Sequence, residues 1–394
     1  MATVFKRNGN GNRKGRYYIA YFDHTGKRQV RSARTTDKSV AERIAAKAEA
    51  DAALRRDGVI DVRLDTMCEQ SKRTIDSHLQ DFEAKMVAAN RTSKHVERTI
   101  QCIRAVANDA DFATVGDITA DGVNRFATEL KREGRSARTI GAHLIAIKGF
   151  TKWLAVHNKL SFDPLASVQK PNPQTDRRRQ RRMLLIEEFR WLQQTTLKGF
   201  SRDGMTPKAR MLLYSVAIQT GLRAAELRSL TRGTLYLDHT PPFILCKAGS
   251  TKNRKEARQY IQPSLADALR RHAATKVSRA RIFKMPDEYS VADMLRADLA
   301  DARQAWLEEA ADDRKEHARR KKSDFLADVN HEGEVLDFHA LRHTCGAWLA
   351  MAGAHPKAVQ SVMRHSTITL TMDTYGHLFP GQEAETVALF PRMV

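Results

Sequence analysis

Cysteine is scarce in this chain. There are four, Cys68, Cys102, Cys246 and Cys345, far apart and without a Cys-x-x-Cys pair. That spacing argues against a zinc site or a disulfide framework and for reduced thiols. Long apolar runs are missing too. No stretch approaches the roughly 18 residues needed to cross a bilayer, and Met1 to Arg7 lack the apolar core of a secretory signal. A cytoplasmic protein is expected. Acidic residues are in deficit, 46 against 67 Lys plus Arg, which leaves a net charge of +21. The excess favours a polyanionic partner, because cationic side chains release the counterions condensed on phosphates. With 394 residues, 42% of them hydrophobic, the chain can fold into two or three domains with cores of their own.

Residues 1–35 carry nine Lys or Arg and a single acid, Asp23. Tyr17 to Phe22 is β-prone, Asp23 to Gly26 reads as a turn, and Lys27 to Ser32 reads as a return strand. Thr36 and Asp37 are placed to cap an Ala-rich helix ending near Gly58. Residues 1–62 therefore read as a small sheet-plus-helix module, with Arg16, Lys27, Arg28 and Arg31 as candidate DNA contacts. Across 71–162 four apolar stripes follow helical spacing. They are Ile75, Leu79, Phe82 and Met86; Val96, Ile100, Ile103 and Ala107; Val123, Phe126 and Leu130; and Ile140, Leu144, Ile147 and Leu154. A compact helical domain is expected, with Lys94, Arg98, Arg135, Arg138 and Lys148 as candidate phosphate contacts. Prolines and the arginines Arg177, Arg178, Arg179, Arg181 and Arg182 mark 163–183 as an extended basic linker. These arginines read equally well as a solvated tether or as groups that track along phosphates.

From 184 to 394 helices and short strands mix, so the whole reads as multidomain and mainly α with small β elements. A helix over Pro207 to Thr220 should stop at Gly221, and another should resume at Ala224. Short strands are expected over Thr234 to Leu237, Phe243 to Cys246 and Arg258 to Ile261. Helices are expected over roughly 291–311, 338–352 and 355–364, with a short one before Tyr375. The dense charge near 285–335 reads as a charged helical insertion.

An ordered polar set runs through this last part: Arg223, Lys252, His339, Arg342, His365 and Tyr375. Two arginines, a lysine, two histidines and a tyrosine suit cleavage of a phosphodiester without a metal. His339 and Arg342 are three apart on one helix and share a face, while Leu341, Cys345, Trp348 and Leu349 anchor the other. His343 lies near that polar face as well, so periodicity does not choose between the two histidines. Arg223 lies in a turn between helices, where its guanidinium fork suits two phosphate oxygens. Glu226, one turn on, is placed to orient it. Lys252 sits in a hairpin turn with Lys247 and Lys255 as rivals. Taken singly, each of these residues has a plainer explanation as a surface or packing group.

Taken together they resemble the tyrosine recombinase, or phage-type integrase, family. The matching strings are Thr220 to Leu227, Ser250 to Asn253, Phe338 to Thr344, and Met363 to Ile368 through Asp373 to His377. The resemblance covers about 184–380 strongly and extends to 71–162 as a helical, SAM-like core-binding domain. Residues 1–62 are similar to the arm-type DNA-binding modules of some phage-type integrases. One departure is that Arg364 precedes His365 where many members have glycine. The resemblance implies a site-specific DNA recombinase that integrates or excises a mobile element. Tyr375 would attack the scissile phosphate and form a 3′-phosphotyrosyl link. His339 would assist it, since a phenol with a pKa of about 10 must lose its proton to attack. Arg223, Arg342 and His365 would bind the phosphate oxygens, Lys252 would protonate the leaving 5′-oxygen, and Glu226 would support the arginines. No metal or other cofactor is expected. The expected partners are double-stranded DNA, further copies of the chain as a tetramer on paired sites, and a DNA-bending accessory or excision factor. Bound to DNA, the protein would associate with the nucleoid. The tail from Phe379 to Val394, with Val387, Leu389 and Phe390, would pack on a neighbouring copy, as segments after the tyrosine do in the family, or fold onto its own domain. A topoisomerase-like nicking and resealing enzyme and an idle DNA-binding regulator are the alternatives.

Overall fold

A computed structural model describes residues 2–7, 15–250 and 256–379. The chain divides into two compact units between Arg178 and Arg179.

The first unit opens with an antiparallel sheet of β1 (Thr3–Phe5), β2 (Tyr18–Phe22) and β3 (Arg28–Ser32), in that order. Asp23 fixes the β2–β3 turn, its carboxylate accepting from Thr25 N, Thr25 Oγ1 and Lys27 N at 3.0, 2.7 and 3.0 Å. α1 (Lys38–Arg56) starts at Asp37, whose side chain accepts from Ser39 N and Val40 N. Ala41, Ala45, Ala48 and Ala52 recur at helical spacing, so small side chains bring α1 close to buried Ile19 of β2. β1 was not expected, because three residues carry too little alternation to register as a strand.

α2 (Val62–Ser71) leads to α3 (Ile75–Ala88), α4 (Ser93–Asp109), α5 (Ala120–Arg132) and α6 (Ala137–Val156). Their apolar stripes form one core, in which Phe82, Phe150 and Trp153 contact one another at 5.3 to 6.0 Å between ring centroids. Thr74, Thr119 and Ser136 cap α3, α5 and α6 with side-chain oxygens, whereas Thr92 precedes α4 without such a bond.

The second unit begins with α7 (Ile186–Lys198), α8 (Pro207–Thr220) and α9 (Ala224–Ser229). α8 is entered through Pro207, whose missing N–H is no loss in a first turn. It leaves through Gly221 at φ 58°, a left-handed conformation that glycine adopts without steric penalty. β4 (Leu235–Tyr236), β5 (Phe243–Cys246) and β6 (Ala257–Tyr260) form an antiparallel sheet in chain order. α10 (Pro263–Ala273), α11 (Ser290–Glu308), α12 (Arg314–Lys321), α13 (Phe338–Met351), α14 (Pro356–Met363) and α15 (Ile368–Tyr375) follow.

α11 corrects the reading of 285–335 as a charged insertion. Val291, Met294, Leu295, Leu299 and Ala302 bury one face of α11 in the main core, against α7. Only α12 matches the expected solvated helix, with no residue buried. Among the described residues no helix is long and apolar enough to cross a membrane.

Candidate active site

α13 is held by both ends. Asp337 caps it, accepting from Ala340 N at 3.0 Å, and receives both Arg181 Nε and Nη2 at 2.8 and 2.7 Å. Further along, Thr344 Oγ1 accepts from Leu184 N, and Trp348 Nε1 donates to Leu184 O. The helix is thereby fixed in rotation, and Arg342 points into the unit. Its Nη1 donates to Gly221 O and its Nη2 to Met363 O. The first carbonyl closes α8 and the second closes α14, so one buried guanidinium ties two helix ends to α13. Burial first, then the neighbouring charges of Arg223 and Arg364, lowers its pKa to about 10.

Arg223 begins α9, with Glu226 one turn later and 2% exposed. Glu226 accepts from Arg223 N at 2.8 Å, from Arg223 Nη1 at 3.3 Å and from Arg364 Nη2 at 2.5 Å. Burial pushes the carboxyl up, but the hydrogen bonds and charges of the two arginines outweigh it and leave the pKa below its usual value.

The turn after α14 carries the rest. Arg364 ends that helix at φ 51°, ψ 44°, the left-handed cap position that glycine normally fills. His365 follows, its Nδ1 3.0 Å from Thr371 Oγ1. Burial, then Arg342 and Arg223, lowers its pKa to about 4. Tyr375 closes α15, 2% exposed. Its ring stacks on His343 at 5.2 Å and on His365 at 6.2 Å between centroids. Gly346 makes the seat: a Cβ there would lie 2.6 Å from the Tyr375 hydroxyl and closer still to the ring. Burial raises the phenol's pKa, so the hydroxyl is protonated at neutral pH. His339 is an exposed but crowded ring on the polar face of α13. Loss of hydration, then the charges of Arg181 and Arg342, lowers its pKa to about 4.

The structure therefore brings together Arg223, Glu226, His339, Arg342, His365 and Tyr375. Lys252 and Lys255 lie outside the described residues, as does the tail from 380 to 394. Lys247 is exposed just after β5. Sequence reading left His343 as a rival to His339 and Arg364 as a departure from glycine, and it missed Gly346 altogether. His343, not His339, lies against the Tyr375 ring. Gly346 stands one turn beyond Arg342 on the same face, and a glycine inside a helix is itself a signal of close approach. Arg364 adds a third guanidinium.

The candidate DNA contacts divide. Arg16, Lys27, Arg28, Arg31, Lys94, Arg98, Arg135, Arg138, Arg177 and Arg179 have exposed side chains. Lys148 instead donates to Ala166 O and Val168 O, and Arg178 donates to Asp176, Gly134 O and Arg135 O. Arg181 is held by Asp337. Arg182, 11% exposed, turns inward to Glu188 and Ala327 O. The end of the basic linker thus braces the second unit rather than trailing as a tether.

Two family models match the chain: the phage integrase family over residues 193–381, and the phage integrase N-terminal SAM-like domain over 75–158. Among curated relatives, tyrosine recombinase XerD of Halalkalibacterium halodurans is 24% identical over 324 residues, covering 78% of this chain and 99% of the relative. Two structures of lambda integrase, a dimer bound to a COC′ core site and a tetramer bound to a Holliday junction, each align over 94% of both chains. Their TM-scores are 0.58 and 0.56, at 15% and 16% identity. The Tn1549 transposon integrase bound to transposon right end DNA aligns over 79% of this chain and 98% of its own. Its TM-score is 0.54, at 17% identity. At these identities the structural likeness is one of fold.

Proposed function

Because this chain belongs to the phage integrase family and is a site-specific tyrosine recombinase, we propose that it integrates or excises a mobile element through Tyr375. The observation that carries this reading is the convergence of Arg342, Arg223 and His365 on the turn that seats Tyr375. The Tyr375 oxygen forms a bond to phosphorus, the bond from phosphorus to the 5′-oxygen breaks, and the 3′-phosphate stays on the protein. Arg223 and Arg342 take the charge that builds on the non-bridging oxygens. His339, held neutral at pH 7, accepts the phenolic proton. His343 stacks on the ring face, a geometry that orients the phenol rather than deprotonating it. In the tautomer with its proton on Nε2, a neutral His365 accepts from the Thr371 hydroxyl at Nδ1 and donates to the phosphate. Lys252 protonates the departing 5′-oxygen. The covalent link conserves the phosphodiester energy, so rejoining to a second strand needs no nucleotide.

Double-stranded DNA is the substrate, approached by the exposed cations of both units. Two sites have four strands to cut, which calls for four copies; lambda integrase is a tetramer on a Holliday junction. The test uses nicked duplexes tiled across the DNA that flanks this gene. At least one should yield a denaturation-resistant protein–DNA adduct with the native chain, and none should with Tyr375→Phe, which should still bind. A chain lacking residues 1–62 should form the adduct but bind outlying sites less tightly. DNA binding without any adduct would leave a regulator instead. Adduct and plasmid relaxation without exchange between two sites would leave a nicking and resealing enzyme.

A further inference from the structure

Arg364 is costly as placed. It holds a left-handed backbone conformation that disfavours side chains with a Cβ. Its side chain is 9% exposed, and Nε and Nη1 are buried without a hydrogen-bond partner. An unpaired buried donor is unfavourable, and more so on a charged group. A glycine at this cap would avoid both penalties. The return for keeping an arginine must therefore lie in the one strong contact it makes, to Glu226.

That contact is unequal to the one beside it. Glu226 lies 2.5 Å from Arg364 Nη2 and 3.3 Å from Arg223 Nη1. The carboxylate is drawn towards Arg364 and holds Arg223 loosely. Arg223 is also the more exposed of the two, at 33% against 9%. Without Arg364, a buried carboxylate would have Arg223 as its remaining charged partner and would close on it bidentately. Arg223 would then be neutralised just where a phosphate must bind.

We propose that Arg364 is a positioning residue that keeps Arg223 free for the scissile phosphate by occupying Glu226. With it, three guanidinium groups face one carboxylate. The surplus of positive charge suits a phosphodiester that gains negative charge in its transition state. The inference rests on the phosphotyrosyl reading above.

The test is a double-mutant cycle between Arg364→Gly and Glu226→Gln, read on adduct formation from the nicked duplexes at saturating DNA. Arg364→Gly should melt no lower than the native chain, because glycine relieves the left-handed cap. It should nevertheless form the adduct roughly 10- to 100-fold more slowly, as expected for a weakened phosphate clamp, with little change in DNA affinity. Adding Glu226→Gln should restore about tenfold of that loss, because the amide still accepts from Arg223 N but no longer neutralises Arg223. Arg364→Lys, which keeps the charge, should fall between glycine and arginine. Three results would overturn the proposal: native rates in Arg364→Gly, a loss of rate that tracks a loss of melting temperature, or no recovery in the double variant. If the native chain forms no adduct, the phosphotyrosyl reading itself fails, and that outcome is separate from all three.

Discussion

Two arginine clusters of the second unit, one around Arg210 and one around Arg364, meet their charge in opposite ways. Arg210 is closed on itself. Nε and Nη2 donate to Asp298 at 2.9 and 3.2 Å, and Nη1 donates to Phe200 O and Met205 O at 2.8 and 3.0 Å. Tyr214 Oη and Arg202 Nη1 complete the same carboxylate at 2.8 and 2.5 Å. Arg364 leaves two buried donors without partners and shares its one carboxylate with Arg223. Both clusters tie helices together, yet the first satisfies its charge fully and the second keeps an excess. A buried ion network that serves the fold pairs most of its donors. One that serves an anionic ligand retains charge and donors until the ligand arrives. The difference divides the expected effects of substitution between stability and activity.

The largest effect should come from breaking the closed cluster. Asp298→Ala would strand Arg210 and Tyr214 in a buried site, and removing one partner of a buried pair costs about 3–5 kcal/mol. Urea unfolding should show this as a lower midpoint with an unchanged slope. Adduct formation per folded molecule should stay close to native. A loss of activity far beyond the loss of folded protein would erase the distinction between the clusters.

Next is Gly346→Ala. The added methyl would overlap the Tyr375 ring, and overpacking of this kind costs about 1–3 kcal/mol. The better helix propensity of alanine offsets this by about 1 kcal/mol, so the melting temperature should move little. Adduct formation should fall much more, because the tyrosine is displaced from the histidines that flank it. An alanine variant that cleaves at the native rate would show that Tyr375 reacts from a different seat.

The two clusters also differ in how visible they were before the fold was known. Arg223, Arg342 and Tyr375 stand in strings whose order carries the signal, and the helix over Pro207–Thr220 with its glycine stop was readable from local chemistry alone. Arg210 and Asp298 lie 88 positions apart, and nothing local marks either as a buried partner. α7 went unrecognised because Glu188 and Thr196 interrupt its buried face, and α10 went unrecognised although Leu265, Ala266, Leu269 and Ala273 keep a helical period. The dense charge near 285–335 read as a charged insertion, and it masked the apolar face of α11. Arg364 was visible as a departure from glycine. That its side chain turns inward depends on a left-handed cap, which sequence pattern does not reveal.

The smallest expected effect concerns protons. His365 has its pKa lowered to about 4 by burial and by the guanidinium groups of Arg342 and Arg223, whereas the unfolded chain's histidine titrates near 6.5. Between those values the unfolded chain binds a proton that the folded chain does not. Stability is therefore full above about pH 6.5 and declines as the pH falls toward about 4. Partial exposure screens the effect, so about 1 kcal/mol is expected from this one residue. His365→Asn should flatten the acid-side decline by that amount. NMR titration of the His365 ring supplies the direct check. A pKa near or above 6.5 in the folded protein would mean that neither burial nor the excess positive charge assigned to the open cluster acts on the turn that holds Tyr375.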